Sequence, residues 1–263
     1  MAILAIAGNT FRENIRDRIL YNLILFAIIM IFSAVALGQL TLGHEDKIIV
    51  DLGLSSISIF GTLIAIFIGI GLVYKELERR TVYSLLAKPI HRHEFILGKF
   101  LGLLGTLLVN VIIMTLGLAL TLAFRGGDDL GSYLRLVPAV YLIFLSLALT
   151  TALALLFSTF STPALSAVFT LFLWVAGHFN GDLLEFGKLT ESAAFRWFCN
   201  VLYYLLPNIS NFNWINSRNV IQSAAYHQGL DPAAVMWVSV YALLYCGILL
   251  LLSIAIFSRR DFK

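Results

Sequence analysis

The chain has 263 residues, of which 60% are hydrophobic and only 13% are charged, and its formal net charge is +3 at pH 7. An ordinary soluble domain carries about 25% charged residues, so this composition excludes a soluble enzyme or binding domain and indicates an integral membrane protein. The small excess of Lys and Arg does not call for a nucleic-acid partner, because membrane topology accounts for it.

An amphipathic helix is predicted over residues 2–18, before the first apolar run. Apolar side chains recur there at helical spacing, and charged side chains occupy the opposite face. This pattern is typical of a helix that lies in the membrane interface, and a charged lead-in to the first span is the alternative. No basic leader or small-residue cleavage site is seen, so the first span is expected to be retained. The apolar positions are Leu4, Ala7, Phe11, Ile15 and Ile19.

Six membrane spans are predicted from apolar runs, since about 20 such residues cross a bilayer. The uncharged run 136–181 is too long for one span, and it is divided at FSTFSTPAL (157–165) because the residue before Pro163 resists helical geometry. The predicted fold is therefore a single all-α polytopic membrane domain over 1–263. Its spans are 19–43, 52–74, 97–124, 138–158, 163–179 and 234–257.

Six spans place both termini on one side of the membrane, so Lys and Arg can be counted for each side. The side of the termini holds twelve of these residues and the opposite side holds six. The excess predicts that both termini are cytoplasmic. The uncharged runs that define these spans hold no Asp, Glu, Lys or Arg, with His178 only at an outer end and Lys99 on the headgroup side of the third. This absence disfavours a secondary carrier or channel.

Several polar residues within the spans are interpreted as helix-packing groups, with a substrate site as the alternative. They are Asn110, Thr115, Thr150 and Thr151. The chain lacks a G-x-x-x-x-G-K-[ST] loop, so ATP hydrolysis by this chain alone is not expected. His91 and His93 with Glu94 are too few for a convincing metal site. Cys199 and Cys246 are interpreted as small apolar side chains.

A charged hairpin is predicted over residues 75–96, between the second and third spans. The stretch YKELERRTVYSLLAKPIHRHEFILGK (74–99) holds a third of all Lys and Arg in the chain. A helix is expected to run out of the second span from Tyr74 to Ala87 and to end at Pro89, whose ring removes a donor and clashes with the preceding turn. The hairpin is suited to docking a soluble partner, and a solvated loop is the alternative.

The segment 180–231, before the last span, is long but not polar. Its part AAFRWFCNVLYYLL (193–206) is apolar but contains Arg196 and is too short to cross a bilayer. It is therefore predicted to be an interfacial or re-entrant segment, which Pro207 ends.

The sequence ELERRTVYSLLAKPIHRHEFILGK resembles the hairpin of ABC-2 type transporter permeases. It is most similar to the branch that includes permeases linked to maturation of multicopper enzymes such as nitrous-oxide reductase. This resemblance implies a permease of a bacterial inner membrane that pairs with a second permease copy or a paralogue. It also implies an ATP-binding cassette subunit, which would bind ATP and magnesium. The residues implied in that contact are Glu76, Glu78, Arg79, Arg80, Thr81, Pro89 and Arg92.

By the same resemblance, aromatic residues of the segment 180–231 form either a gate that caps the exit of a pathway or a lipid-facing belt. These residues are Trp197, Tyr203, Tyr204 and Trp214, together with Pro207. The expected function is the permease subunit of an ATP-driven exporter, and the alternative is a membrane scaffold that recruits a cytoplasmic protein. The cargo is open among lipids, amphiphiles, peptides and a maturation factor. Direct copper transport is not supported, because only four Met and no Cys or His cluster are present.

Overall fold

A computed structural model describes residues 2–39, 45–78, 91–124, 130–190, 192–212 and 232–259. Within these ranges the regular elements are all helical and no strand occurs, which confirms the predicted all-α class. In chain order they are α1 (Ala2–Ile15), α2 (Arg18–Gln39), α3 (Glu45–Glu78), α4 (Arg92–Ala123), α5 (Leu130–Ser158), α6 (Pro163–His178), α7 (Asn180–Leu189), α8 (Ala193–Leu205), a 3-10 turn (Ile209–Phe212) and α9 (Pro232–Arg259).

Five of the described helices are long and apolar enough to cross a membrane: α2, α3, α4, α5 and α9. The predicted span 163–179 corresponds to α6, which has 16 residues. At 1.5 Å per residue α6 is about 24 Å long, which is shorter than the roughly 30 Å of a hydrocarbon core. A full crossing by α6 therefore stays a prediction.

Local sequence signals account for several helix boundaries. The Asp17 side chain accepts a hydrogen bond from the Ile19 backbone N–H at 3.0 Å, which caps the start of α2. The His91 backbone N–H donates to Glu94 Oε2 at 3.0 Å at the start of α4. Pro163 occupies the first turn of α6, where its missing N–H has no cost. The break between Ser158 and Pro163 falls within 157–165, where the long apolar run was divided.

Helices α3 and α5 exceed their predicted spans by the most. Helix α3 has 34 residues and runs without interruption to Glu78, so it extends past the predicted span 52–74 at both ends. Helix α5 begins at Leu130 and passes through Pro138, where the predicted span 138–158 starts. Membrane helices tolerate such a Pro because neighbouring groups satisfy the one freed carbonyl.

Helices α3 and α5 form the centre of the bundle. Helix α3 packs against α2, α4, α5 and α6, and α5 also packs against α9. Their buried side chains are mostly apolar, as for Ile64 on α3 and Leu149 on α5, with a few buried Ser and Thr among them. The helices α2, α6 and α9 surround this centre and expose large apolar side chains, among them Phe26, Phe172 and Leu243. Exposed surfaces of this kind suit contact with lipid.

The bundle has two distinct ends. The end of α3, the start of α4 and the end of α9 lie at the same end of the bundle. We call this the hairpin end, because the predicted hairpin 75–96 connects α3 and α4 in the sequence. The turn from α6 to α7, helix α8 and the 3-10 turn lie at the opposite end, which we call the far end.

Candidate functional site

The two arms of the predicted hairpin are helical. Helix α3 continues past the apolar core to Glu78, so Glu76 and Glu78 belong to its last turn, as expected for a helix leaving the second span. Helix α4 begins at Arg92. Arg79, Arg80, Thr81 and Pro89 lie outside the described residues. The coupling roles of these residues stay predictions.

Arg92 fastens the start of α4 to the end of α9. Its Nη1 donates to the backbone oxygen of Phe257 at 3.1 Å and to that of Ser258 at 2.6 Å. These oxygens are among the last four of α9, which have no partner within the helix, and a cation there also complements the helix dipole. The rings of Phe95 and Phe257 stack beside this contact, with centroids 5.7 Å apart. We call this group of four residues the α4–α9 clasp.

One turn further along α4, Lys99 connects the same face to α1. Lys99 is 1% exposed. Its Nζ lies 3.9 Å from Glu13 Oε2 of α1 and 5.7 Å from the centroid of the Phe95 ring. Because Arg92, Phe95 and Lys99 recur at i, i+3 and i+7, they share one face of α4. The first two turns of α4 are thus held by α9 and by α1.

Helix α1 packs on α4 along a row of glycines. A Cβ atom at Gly102 would lie 2.7 Å from the backbone oxygen of Ala7 and 2.6 Å from Thr10 Cβ. A Cβ atom at Gly98 would lie 2.7 Å from Ile6 Cβ. Close approach of two helices at small residues is a common packing device in membranes. The predicted helix 2–18 is therefore present as Ala2–Ile15, but it is docked on protein.

The docked face of α1 differs from the predicted apolar face. Thr10 and Asn14 are buried, and Asn14 Nδ2 donates to Thr106 Oγ1 of α4 at 3.2 Å. Leu4 is 75% exposed. The predicted apolar stripe including Leu4 was assigned to the membrane interface, and that placement stays a prediction. The face docked on α4 is a different one, in which the partner helix satisfies the buried amide of Asn14. The glycines at i, i+4 and i+7 of α4 were the sequence signal for this contact.

Ionisable residues extend further into the helices than the sequence predicted. Asp51 falls within the span Ile48–Gly71, and Lys99 falls within Arg92–Ala123. The difference arises because α3 and α4 continue as single helices beyond the uncharged runs. Lys99 pairs with Glu13, which makes it part of the packing between helices.

The polar residues at the centre of α5 agree with a packing role. Thr150 and Thr151 are fully buried, and their hydroxyls donate to backbone oxygens one turn earlier in α5. Asn110 of α4 is also buried. Cys199 and Cys246 are buried free thiols, in agreement with the apolar interpretation. Among the described residues, no group of three or more His, Cys, Asp or Glu could hold a metal ion.

A polar network closes the far end of the bundle. The Asn208 backbone N–H donates to Tyr241 Oη of α9 at 2.8 Å, and Asn208 Nδ2 lies 3.5 Å from Tyr203 Oη. Asn180 Nδ2 donates to the backbone oxygen of Tyr203 at 3.1 Å. The buried side chains of Ile209 and Phe212 fill the space beneath. The segment after α8 is thereby fixed to α9, and the end of α8 is fixed to α7.

The predicted aromatic group divides between two environments. Tyr203 takes part in the polar network of the far end, and Pro207 is buried there. Trp197 and Tyr204 are 68% and 81% exposed on α8. Trp214 lies outside the described residues. Of the two interpretations, the exposed Trp197 and Tyr204 suit a lipid-facing belt, and the half-buried Tyr203 with the buried Pro207 suits a closure.

Gly177 provides a test of the far end, because α6 contacts the segment after α8 at this residue. A Cβ atom at Gly177 would lie 2.5 Å from the backbone oxygen of Pro207 and 2.9 Å from Ile209 Cγ1. We expect Gly177→Val to displace this segment and to lower the free energy of unfolding by about 1–3 kcal/mol, as overpacking does. Thermal unfolding in detergent and thiol labelling of an Ile209→Cys reporter measure the two effects.

The matched control is Gly247→Val in α9, where a Cβ atom meets nothing within 4 Å. Gly247→Val should leave the unfolding temperature and the labelling rate unchanged. Equal behaviour of the two variants would contradict the assignment of Pro207 and Ile209 to the far end.

The family described as ABC-2 family transporter protein matches residues 4–262, nearly the whole chain. This chain belongs to the ABC-2 transporter family. The chain is also 28% identical to the probable ABC transporter permease protein NosY of Stutzerimonas stutzeri, over 284 aligned residues that cover 97% of each protein.

Family membership confirms the predicted family and makes the chain a transmembrane permease subunit of an ABC transporter. Such permeases work in general with an ATP-binding subunit. The clasp and the α1–α4 contact of this ABC-2 permease therefore lie at the base of its predicted coupling hairpin. Arg92, predicted to make or shape the contact with that subunit, has its guanidinium on α9.

Proposed function

We propose that this permease is the membrane-spanning part of an ATP-driven exporter and that hairpin 75–96 couples it to a separate ATP-binding subunit. The observation that supports this most is the anchoring of both hairpin arms. One arm is the uninterrupted helix α3, which belongs to the centre of the bundle. The other is α4, whose first two turns are held by α1 and α9. Movement of a hairpin anchored in this way would be transmitted to the membrane helices.

The proposed location is a bacterial inner membrane with both termini in the cytoplasm. The twelve Lys and Arg on the side of the termini, against six on the other, support this orientation. ATP and magnesium would be bound by the partner subunit, and the proposal requires no cofactor in this chain. A second permease copy or a paralogue and membrane lipids would cover the exposed apolar faces, such as that of α2 around Phe26. The direction of transport rests on the family resemblance.

The test combines purification in mild detergent from the native host with mass spectrometry and an ATPase assay. We expect an ATP-binding subunit to remain bound to the wild type. Reversing both charges, with Glu78→Lys and Arg79→Glu, should reduce its retention and the associated ATPase activity more than about tenfold. Opposed like charges at an interface cost several kcal/mol, and 1.4 kcal/mol is a factor of ten.

A matched control reverses an exposed pair at the far end, with Glu185→Lys and Lys188→Glu in α7. This variant should retain the ATP-binding subunit and the activity. A wild-type preparation without any nucleotide-binding partner in several detergents would contradict the exporter. It would favour the scaffold that recruits another cytoplasmic protein.

A further inference from the structure

The first two turns of α4 connect three helices that are far apart in the sequence. Arg92 bonds to backbone oxygens of α9 that lie 165 and 166 residues later in the chain. Phe95 stacks on Phe257 and also lies beneath the Lys99 ammonium group, which is paired with Glu13 of α1. A continuous series of contacts thus leads from the end of α9 across α4 to α1.

The chemistry of the clasp favours a rigid connection. Phe95 is 6% exposed and Phe257 is 2% exposed, so the ring contact is shielded from water. Hydrogen bonds from a charged donor are roughly twice as strong as neutral ones. Separating α9 from α4 would leave two terminal carbonyls of α9 without these bonds and would uncover both rings. The end of α9 and the start of α4 should therefore move together.

We propose that Arg92 is a positioning residue that makes α9 move with the base of the hairpin. In this role Arg92 does not contact the ATP-binding subunit itself. This inference rests on the proposed function, because it concerns how motion of the hairpin is distributed. Movement of the hairpin is transmitted directly to α3 and α4, which continue from it, and through the clasp to α9. The energetic coupling between the partner subunit and α9 depends on Arg92 and Phe257.

The experiment uses the full chain with its co-purified ATP-binding subunit in lipid nanodiscs. Two variants open the clasp from opposite sides, Arg92→Gln from α4 and Phe257→Leu from α9. The leucine keeps an apolar side chain in the buried site, so the protein should fold. The matched control is Arg12→Gln, which removes an exposed cation of α1. The measurements are retention of the subunit, ATPase activity, and hydrogen exchange at the end of α9 with and without trapped nucleotide.

We expect both clasp variants to retain the ATP-binding subunit as the wild type does. Hydrogen exchange at the end of α9 should become faster in both and should no longer respond to trapped nucleotide. The effect of the permease on ATPase activity should fall about fivefold or more, the lower end of typical coupling between sites. Arg92→Lys, which keeps the cation, should restore part of the protection, and Arg12→Gln should resemble the wild type.

Two results would overturn the inference. One is unchanged hydrogen exchange at the end of α9 in Arg92→Gln. The other is loss of the ATP-binding subunit from Arg92→Gln while Phe257→Leu retains it, which would assign Arg92 to direct docking. If the wild type retains no ATP-binding subunit, the proposed function fails by that result alone. The difference in exchange between the wild type and Arg92→Gln then still decides whether the clasp holds α9.

Discussion

Replacing Gly102 with valine is expected to detach α1 from α4. The added Cβ atom alone would lie 2.7 Å from the backbone oxygen of Ala7, and the rest of the valine side chain needs further space. The backbone of α1 cannot move aside as a flexible side chain does. The loss in the free energy of unfolding should reach or exceed the upper end of the roughly 1–3 kcal/mol typical of overpacking. Thermal unfolding in detergent measures this loss. A thiol at Asn14→Cys, buried in the docked helix, reports the detachment by its labelling rate.

The same helix provides the control. Gly117 of α4 has nothing within 4 Å of an added Cβ atom, so Gly117→Val should unfold at the temperature of the wild type and should leave the Asn14→Cys thiol protected. A Gly102→Val protein that keeps this thiol protected would show that α1 is not docked along the glycine row.

Charge reversal at Lys99 is the second large effect that we expect. Lys99→Glu places a carboxylate in a site where the native side chain is 2% exposed, opposite Glu13, whose side chain is 43% exposed. Breaking a fully buried ion pair costs about 3–5 kcal/mol, so we expect a loss of about 2–3 kcal/mol in the free energy of unfolding after allowing for the exposure of Glu13. Equilibrium unfolding of the variant and the wild type measures the difference.

Two further proteins separate charge from packing at this site. The double variant with Glu13→Lys and Lys99→Glu should recover part of the stability, because the pair is restored with opposite polarity. Lys99→Met should be nearly neutral, since replacing a buried charge by a flexible apolar side chain removes its desolvation cost. If Lys99→Met is as unstable as Lys99→Glu, the ion pair does not explain the stability of the contact.

Much of the fold could be predicted from the sequence. The family match and the helical structure confirm the predicted class, and α5 ends at Ser158 and α6 begins at Pro163 within the predicted break. These features depend on the transfer of apolar segments into lipid and on the backbone of Pro, both of which are local properties. The prediction was less successful at the ends of the helices. A helix such as α3 continues beyond the apolar core, because its hydrogen bonds do not stop where the lipid does.

The candidate site was predicted only in part. The sequence placed Arg92 in the hairpin by resemblance, but its hydrogen bonds to Phe257 and Ser258 could not be read from local spacing. Tyr203 and Tyr204 are adjacent and chemically alike, yet Tyr203 contacts Asn208 in the polar network of the far end and Tyr204 is exposed. Adjacent residues of a helix point about 100° apart, so the rotation of α8 on its neighbours decides which of the two tyrosines contacts protein.

The sequence by itself determined that the chain is a polytopic helical membrane protein, where its apolar segments lie, and that charge concentrates in residues 75–96. These properties follow from composition and from short-range backbone preferences. Only the tertiary structure decided that α1 docks on the glycines of α4 and that Arg92 holds the end of α9. The reason is that those contacts depend on how helices rotate and cross, which is set by side chains far apart in the sequence. Asn14 and Thr106 are separated by 92 residues, and Arg92 and Phe257 by 165.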